Sequence, residues 1–244
     1  MNRTKIEWTK YTWNPLGQGC PHNCWYCYAK RGAYRNYHQH LGLYKKGKRA
    51  TPPCELCRDF LPHFHPERLR EPWLVKKADK VFVCSTADLW AKTTEAQWRL
   101  QILQSVHDCP TKHTFQFLTK APENFETVWT FPNNIWVGVT VTSNSELWKI
   151  SELRKHVKGL AFVSFEPLLE NLDLGTGCSL EDNFDQINFD TMNWIIIGKL
   201  TGSRRVKLDP SWVQTILERA RVSHIPVFIK NNVGWPEKIQ ESPK

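Results

Sequence analysis

Short, nearly continuous apolar runs recur along the chain, and stretches of mixed polarity separate them. The runs are rich in β-branched and aromatic residues, and they do not alternate between apolar and polar positions. This pattern is typical of parallel strands that are buried on both faces. The predicted strands occupy residues 80–84, 114–118, 135–139, 160–164, 194–198 and 226–230, with a first strand near residues 12–16.

Amphipathic stretches between these runs predict helices. In the first stretch, Ala96, Leu100, Leu103 and Val106 share one helical face, and Thr94 is the expected N-cap. The three predicted helices cover residues 94–107, 145–157 and 210–222. Alternating strands and helices indicate βαβ units, so we predict an α/β fold, a partial parallel β/α barrel of six to seven strands.

The length of 244 residues favours a single domain that spans residues 1–244. Residues 34–79 do not follow the strand–helix pattern, because they contain five prolines with basic and aromatic residues between them. We therefore predict an insertion at 34–79, between the first and second strands. The chain has neither a bilayer-length apolar run nor a signal-like start, which predicts a cytoplasmic protein, no membrane partner and reduced thiols.

The chain is basic, with 33 Lys and Arg against 24 Asp and Glu and a formal net charge of +9. This balance favours a polyanionic partner such as nucleic acid, although a basic enzyme without such a partner has the same composition. The basic residues concentrate in two loop-like stretches, at residues 44–49 and 202–207.

Three cysteines near the start form a C-x3-C-x2-C triplet, Cys20, Cys24 and Cys27. Closely spaced thiolates can hold an iron–sulfur cluster, and three ligands leave one iron of a 4Fe–4S cluster without a protein ligand. The alternative is a zinc site, in which His22 or a second cysteine pair completes the four ligands.

That second pair is Cys54 and Cys57, and with His63 and His65 it can form a small zinc site. The two histidines are closer together than the usual H-x3-5-H spacing. An auxiliary iron–sulfur cluster and an unliganded, reduced pair are the alternatives.

Polar residues follow the predicted strands, at the end where parallel barrels carry their chemistry. For each of them the alternative role is a strand-end cap or a surface ion pair. They are Ser85, Asp88, Lys120, Thr140, Thr142, Glu166, Gly198 and Lys230.

The triplet, with the aromatic Tyr26 before its last cysteine, resembles the radical S-adenosylmethionine (SAM) superfamily. The chain is also similar, over nearly its full length, to a phage-associated and largely uncharacterised radical SAM family that is carried as a domain of unknown function. The similar segments are residues 4–9, 12–15, 65–69, 81–83, 85–89, 118–123, 136–139, 165–168 and 194–198.

This resemblance implies an enzyme with a 4Fe–4S cluster on the triplet that cleaves SAM reductively, forming a 5′-deoxyadenosyl radical that abstracts hydrogen from a substrate. Asp88 or Glu166 would then bind the SAM ammonium or ribose, and backbone at Tyr26 and Gly198 would approach the adenine. Ser85, Thr140 and Thr142 offer hydroxyls to SAM, and Glu166 and Lys120 are the candidate catalytic residues.

The same resemblance implies an electron donor such as flavodoxin or ferredoxin. The basic charge favours a nucleic acid or nucleotide substrate, with modification or repair as the outcome. Two alternatives stay open: a radical SAM enzyme that acts on a peptide or protein partner, and a non-enzymatic, zinc-stabilised nucleic-acid-binding protein.

Overall fold

The computed structural model describes residues 1–175, 189–202 and 206–243. Part of the basic stretch at 202–207, namely residues 203–205, lies outside the described residues. The strands are β1 (Asn2–Arg3), β2 (Tyr11–Trp13), β3 (Lys80–Val83), β4 (Thr114–Thr119), β5 (Trp129–Thr130), β6 (Ile135–Thr140), β7 (Val157–Lys158), β8 (Leu160–Phe165), β9 (Trp194–Ile197) and β10 (Val227–Ile229).

The α-helices are α1 (Tyr28–Lys45), α2 (Glu55–Arg58), α3 (Ala96–His107), α4 (Trp148–His156) and α5 (Pro210–Val222). Short 3-10 helices occupy Pro66–Arg68, Glu71–Leu74, Pro122–Asn124, Asn144–Glu146, Phe189–Thr191 and Asn231–Val233. Among the described helices, none is both long and apolar enough to cross a membrane.

Within the described ranges, eight strands form one sheet in the order β1-β2-β3-β4-β6-β8-β9-β10, and β5 and β7 form a separate two-stranded sheet. Strand β1 is antiparallel to β2, whereas β2–β3, β6–β8, β8–β9 and β9–β10 are parallel. The outer edge of β10 is covered by the C-terminal segment, because the Ile229 amide donates to the Ile239 carbonyl at 2.8 Å.

The prediction of a partial parallel β/α barrel is wrong. In the part of the chain that the structure describes, the sheet is open and mixed, with β1 and β10 at its two ends. An apolar run indicates that a strand is buried. Closure of a sheet into a barrel depends on strand tilt and stagger, which produce no periodic pattern in the sequence. The antiparallel β1 was not predicted, because it is two exposed polar residues long.

The predicted apolar face of α3 is buried only in part, since Val106 is buried but other members are not. Leu100 is 54% exposed and Ala96 is exposed, while Arg99 and Ser105 are buried. The polar side chains turn inward because carbonyls accept from them: Arg99 Nε donates to Leu89 at 3.2 Å, and Ser105 Oγ donates at 2.6 Å to a carbonyl in the segment before β3. The residue at the N-cap is Glu95 rather than the predicted Thr94.

The chain divides into two compact units. The first comprises Met1–Lys5 and Thr9–Phe115, and Trp13, Trp90 and Phe115 are fully buried in it. The second comprises Ile6–Trp8 and Gln116–Lys244, and its core holds Trp194 and Phe162. The single domain 1–244 stays a prediction, as does the insertion at 34–79, a segment that contains the end of α1 and all of α2.

Candidate functional site

The cysteine triplet lies on the loop between β2 and α1, in the first unit. Cys20, Cys24 and Cys27 are all partly exposed. Cys27 is the N-cap of α1, and its sulfur accepts a hydrogen bond from the Lys30 amide at 3.3 Å. The loop therefore presents three thiols at the start of a helix, where a negative charge is favoured.

The donor set of the triplet fits a cluster that three cysteines hold. Burial raises the pKa of Cys20 to about 12, and a nearby cation favours the thiolate form of such a sulfur. His22 directs its Nε2 to Asp88 Oδ2, at 2.7 Å. Three sulfurs that bind different irons must lie farther apart than the ligands of a single ion, so they need not converge on one point.

Asp88 and Ser85 follow β3 and contact this loop. Asp88 is 4% exposed, and its Oδ1 accepts from the Trp90 amide at 3.0 Å while Oδ2 contacts His22. Ser85 Oγ donates to Asn14 Oδ1 at 3.1 Å. Both side chains were predicted to bind SAM. In this structure Asp88 contacts His22 and Ser85 contacts Asn14, both on the loop that carries the triplet.

Tyr26 is partly exposed and packs edge-to-face against Trp25, with 5.4 Å between the ring centroids. Tyr28 extends the exposed aromatic surface, and its hydroxyl donates to the Ser85 carbonyl at 2.5 Å. The aromatic residues next to the triplet are therefore accessible rather than part of the core.

The remaining predicted residues lie in the second unit. Glu166 forms an ion pair with Lys230, and both side chains are partly buried. A Cβ atom on Gly198 would lie 2.8 Å from Glu166 Cδ, so the glycine makes room for this carboxylate. The predicted role of Gly198 was close approach to adenine, and the close neighbour in this structure is Glu166.

Thr140 and Thr142 lie at and just beyond the end of β6, and both are buried. Thr142 donates to Glu146 Oε2 from its amide at 2.7 Å and from its hydroxyl at 2.8 Å. Burial opposes ionisation of Glu146, but these bonds and Lys149 outweigh it and hold the pKa of Glu146 below its usual value. Lys120 is half-buried and directly follows β4.

A second group of metal-binding side chains lies in the first unit. The ligand atoms of Cys54, Cys57, His63 and His65 all lie within 4.8 Å of one another, which makes the group a candidate metal site. His63 Nε2 is 3.3 Å from both sulfurs, and His65 Nε2 is 3.5 Å from Cys57 Sγ. Tetrahedral zinc places sulfur and nitrogen ligands about 3.5 Å apart, given its usual bond lengths.

The other ring nitrogens of the two histidines face oxygen atoms. His63 Nδ1 lies 2.6 Å from the Leu61 carbonyl, and His65 Nδ1 lies 2.7 Å from Glu67 Oε1. Each Nδ1 therefore carries the proton in the neutral ring, and each Nε2 offers a lone pair. Such oxygen partners fix the tautomer and orientation of histidines that bind metals.

The two cysteines of this group have different environments. Burial opposes ionisation of Cys57, but its contact with the His65 ring and a hydrogen bond from the Gln18 backbone outweigh burial and lower the pKa of this thiol. Burial raises the pKa of the Cys54 thiol. Cys54 is also the N-cap of α2.

Three supporting residues were not predicted: Gly17, Glu67 and Glu146. The sequence carries a weak signal for the first two, because Gly17 precedes the triplet in a Gly-x-Gly-Cys segment and Glu67 comes two residues after His65. Glu146 has only the general Ser-x-x-Glu signal of a helix start, with Ser143, and its bonds to Thr142 depend on the turn after β6.

The fold and the two cysteine groups define an α/β protein with two candidate metal centres. The model of the family described as "Protein of unknown function (DUF5131)" matches residues 3–244, and the chain belongs to that family. The comparisons found no match to a curated protein and none to a solved structure.

Proposed function

We propose that the protein is a radical SAM enzyme in which Cys20, Cys24 and Cys27 hold a 4Fe–4S cluster. The observation that supports this most strongly is three partly exposed cysteines on one loop that leads into α1, with His22 turned to Asp88. When bound there, such a cluster would supply the electron for reductive cleavage of SAM to methionine and the 5′-deoxyadenosyl radical. The electron donor is a small redox protein such as flavodoxin or ferredoxin.

The residues of the first unit orient and shield this loop. Asp88 holds His22, and the His22 backbone hydrogen-bonds the Cys20 sulfur, so the conformation between Cys20 and Cys24 is fixed from two sides. The SAM-binding and catalytic roles of the second-unit residues stay predictions from the sequence. These residues are Lys120, Thr140, Thr142, Glu166 and Gly198.

We further propose a nucleic acid substrate, because the surface next to the triplet is basic and aromatic. Residues 28–54 contain seven Lys and Arg and no Asp or Glu. All seven are exposed, and so are Trp25 at 46%, Tyr28 at 56% and Tyr34 at 65%. Cationic side chains that track a phosphate backbone, with aromatic rings on which bases stack, are typical of single-strand binding.

The enzymatic proposal is tested by anaerobic reconstitution with iron and sulfide, followed by dithionite and SAM, with 5′-deoxyadenosine as the measured product. Wild-type protein is expected to form it, and Cys24→Ala is expected to lose it. Cys109→Ala is the matched control, since Cys109 is buried and belongs to neither cysteine group. Normal product from Cys24→Ala would overturn the cluster assignment.

The substrate proposal is tested by measuring oligonucleotide affinity against salt concentration. Replacing Lys45, Lys46 and Lys48 with Gln should flatten the slope of log affinity against log salt by about 2, at about 0.7 for each lost contact to a single strand. Binding that does not depend on salt would favour a peptide or protein substrate. Salt-dependent binding with zinc, but no iron and no product, would favour the zinc-stabilised nucleic-acid-binding protein.

A further inference from the structure

We propose that Cys54, Cys57, His63 and His65 bind a structural Zn²⁺ ion. We further propose that this ion holds residues 15–19, which precede the cysteine triplet, in place. The proposal does not rest on radical SAM activity. It rests on the geometry of the four ligands and on the backbone pairing of residues 15–17 with residues 63–65, all within the first unit.

The strongest argument for a cation is the contact between the two histidines. His63 Nε2 and His65 Nε2 are 2.9 Å apart, and the opposite nitrogen of each ring faces an oxygen acceptor. Two lone pairs therefore point at each other next to two sulfurs. A shared cation turns this repulsive arrangement into a favourable one, whereas a metal-free pair would have to protonate or separate.

The donor set selects zinc among common ions. Two thiolates and two imidazoles in tetrahedral arrangement are typical of structural zinc, which keeps no open position for water or substrate. Glu67 bonded to His65 adds the outer carboxylate that often accompanies zinc-bound histidine.

The histidine segment is paired along the backbone with the segment before the triplet. The His65 amide donates to the Pro15 carbonyl at 2.7 Å, and the Gly17 amide donates to the His63 carbonyl at 2.9 Å. Between these bonds, Leu16 and Phe64 form an antiparallel bridge. The two metal-binding histidines are thus anchored to residues only a few positions before Cys20.

The two glycines of this segment are required by the same packing. A Cβ atom on Gly17 would lie 1.9 Å from His63 Cε1, and one on Gly19 would lie 2.4 Å from the Leu61 carbonyl carbon. At these two positions, no side chain fits between the chain before the triplet and residues 61–63. Movement of His63 is therefore expected to displace residues 15–19.

The first test is metal analysis of the purified, desalted full chain, with iron and zinc counted separately. We expect one tightly held zinc per chain, lost in Cys57→Ser and retained in Cys109→Ser. Cobalt in place of zinc should give the visible bands of a tetrahedral thiolate site in the wild type, which reports on the site even where Cys57→Ser does not fold. Equal zinc in both variants would overturn the proposal, as would iron lost from Cys57→Ser in place of zinc.

The second test separates the ligand role from the supporting role. Glu67→Gln should weaken zinc affinity by about 10–100-fold in a chelator competition, the usual effect of losing an outer carboxylate. Glu237→Gln, an exposed glutamate elsewhere on the surface, is the control. Chelation should also speed hydrogen exchange at the amides of residues 17–19, and unchanged exchange there would refute the supporting role.

Discussion

Adding one methyl group at Gly17 should both destabilise the protein and weaken metal binding. The new Cβ would lie 1.9 Å from His63 Cε1 and 2.1 Å from Nε2. Carbon atoms pack at about 3.5–4.0 Å, so the overlap is about 1.6 Å or more. The His63 ring cannot easily turn away, because it is 9% exposed and its Nδ1 is bonded to the Leu61 carbonyl.

Overpacking of this kind costs about 1–3 kcal/mol. For a chain of this size, each kcal/mol lowers the Tm by about 2–4 °C, so Gly17→Ala should melt about 2–12 °C below the wild type. The displaced ring also supplies one of the four candidate ligands, so zinc retention should fall in the same variant. Thermal unfolding by circular dichroism and zinc analysis of the same samples measure the two effects.

Gly42→Ala is the matched control, because it is the same substitution in the same unit. Gly42 lies within α1, and a Cβ there would meet nothing within 4 Å. Alanine in a helix is more stable than glycine by up to about 1 kcal/mol, so this variant should melt at or above the wild-type temperature. If Gly17→Ala behaved like Gly42→Ala in both assays, the close packing of His63 against Gly17 would be refuted.

Three further substitutions test other contacts. Glu146→Gln should cost about 1–3 kcal/mol at neutral pH through its weaker bonds to Thr142. The pKa of Glu146 is lowered in the folded protein, so the loss of stability relative to wild type should be complete above the unfolded pKa of 4.5. It should shrink as the pH falls through the folded pKa, which urea denaturation at several pH values would show. A loss that does not change with pH would contradict this prediction. Gly198→Ala, 2.8 Å from the Glu166 carboxyl carbon, should lower the Tm, although by less than Gly17→Ala, because a flexible side chain can yield; an unchanged Tm would count against the contact. Asp88→Asn should reduce iron retained after anaerobic reconstitution while zinc stays constant, and parallel loss of both metals would indicate general unfolding instead.

The sequence predicts the strands well where burial alone forms them. The runs at 135–139 and 160–164 correspond to β6 (Ile135–Thr140) and β8 (Leu160–Phe165), and both strands are almost entirely buried. Such strands leave a continuous apolar run whatever their neighbours are. The sheet's open form left no comparable mark, because the pairing of edge strands depends on hydrogen bonds rather than on side-chain polarity.

Helix α1 escaped prediction for a related reason. Its buried residues are Ala29, Gly32 and Ala33, which are small, and its exposed positions include aromatic residues such as Tyr34. A helix that packs through small residues at i, i+3 and i+4 has no large apolar stripe to detect. The aromatic residues on its outer side then obscure the periodicity further.

The candidate zinc site shows how local conformation changes the meaning of a spacing. His63 and His65 are too close for the usual H-x3-5-H pattern, which assumes that both histidines lie on a helix. In this structure they lie on an extended segment bridged to Leu16, and residues i and i+2 of such a segment point to the same side. The two-residue spacing is therefore suitable for a shared ion.

The two proposed metal centres differ in whether they would leave a coordination position open. Cys54, Cys57, His63 and His65 supply four converging ligands, which complete a tetrahedral ion and leave no place for a substrate. The triplet supplies three thiols on a partly exposed loop, and in the proposed 4Fe–4S cluster these would leave one iron open to an incoming ligand. Because His63 and His65 are paired through the backbone with Pro15 and Gly17, we expect the zinc site to position the cysteine triplet that follows.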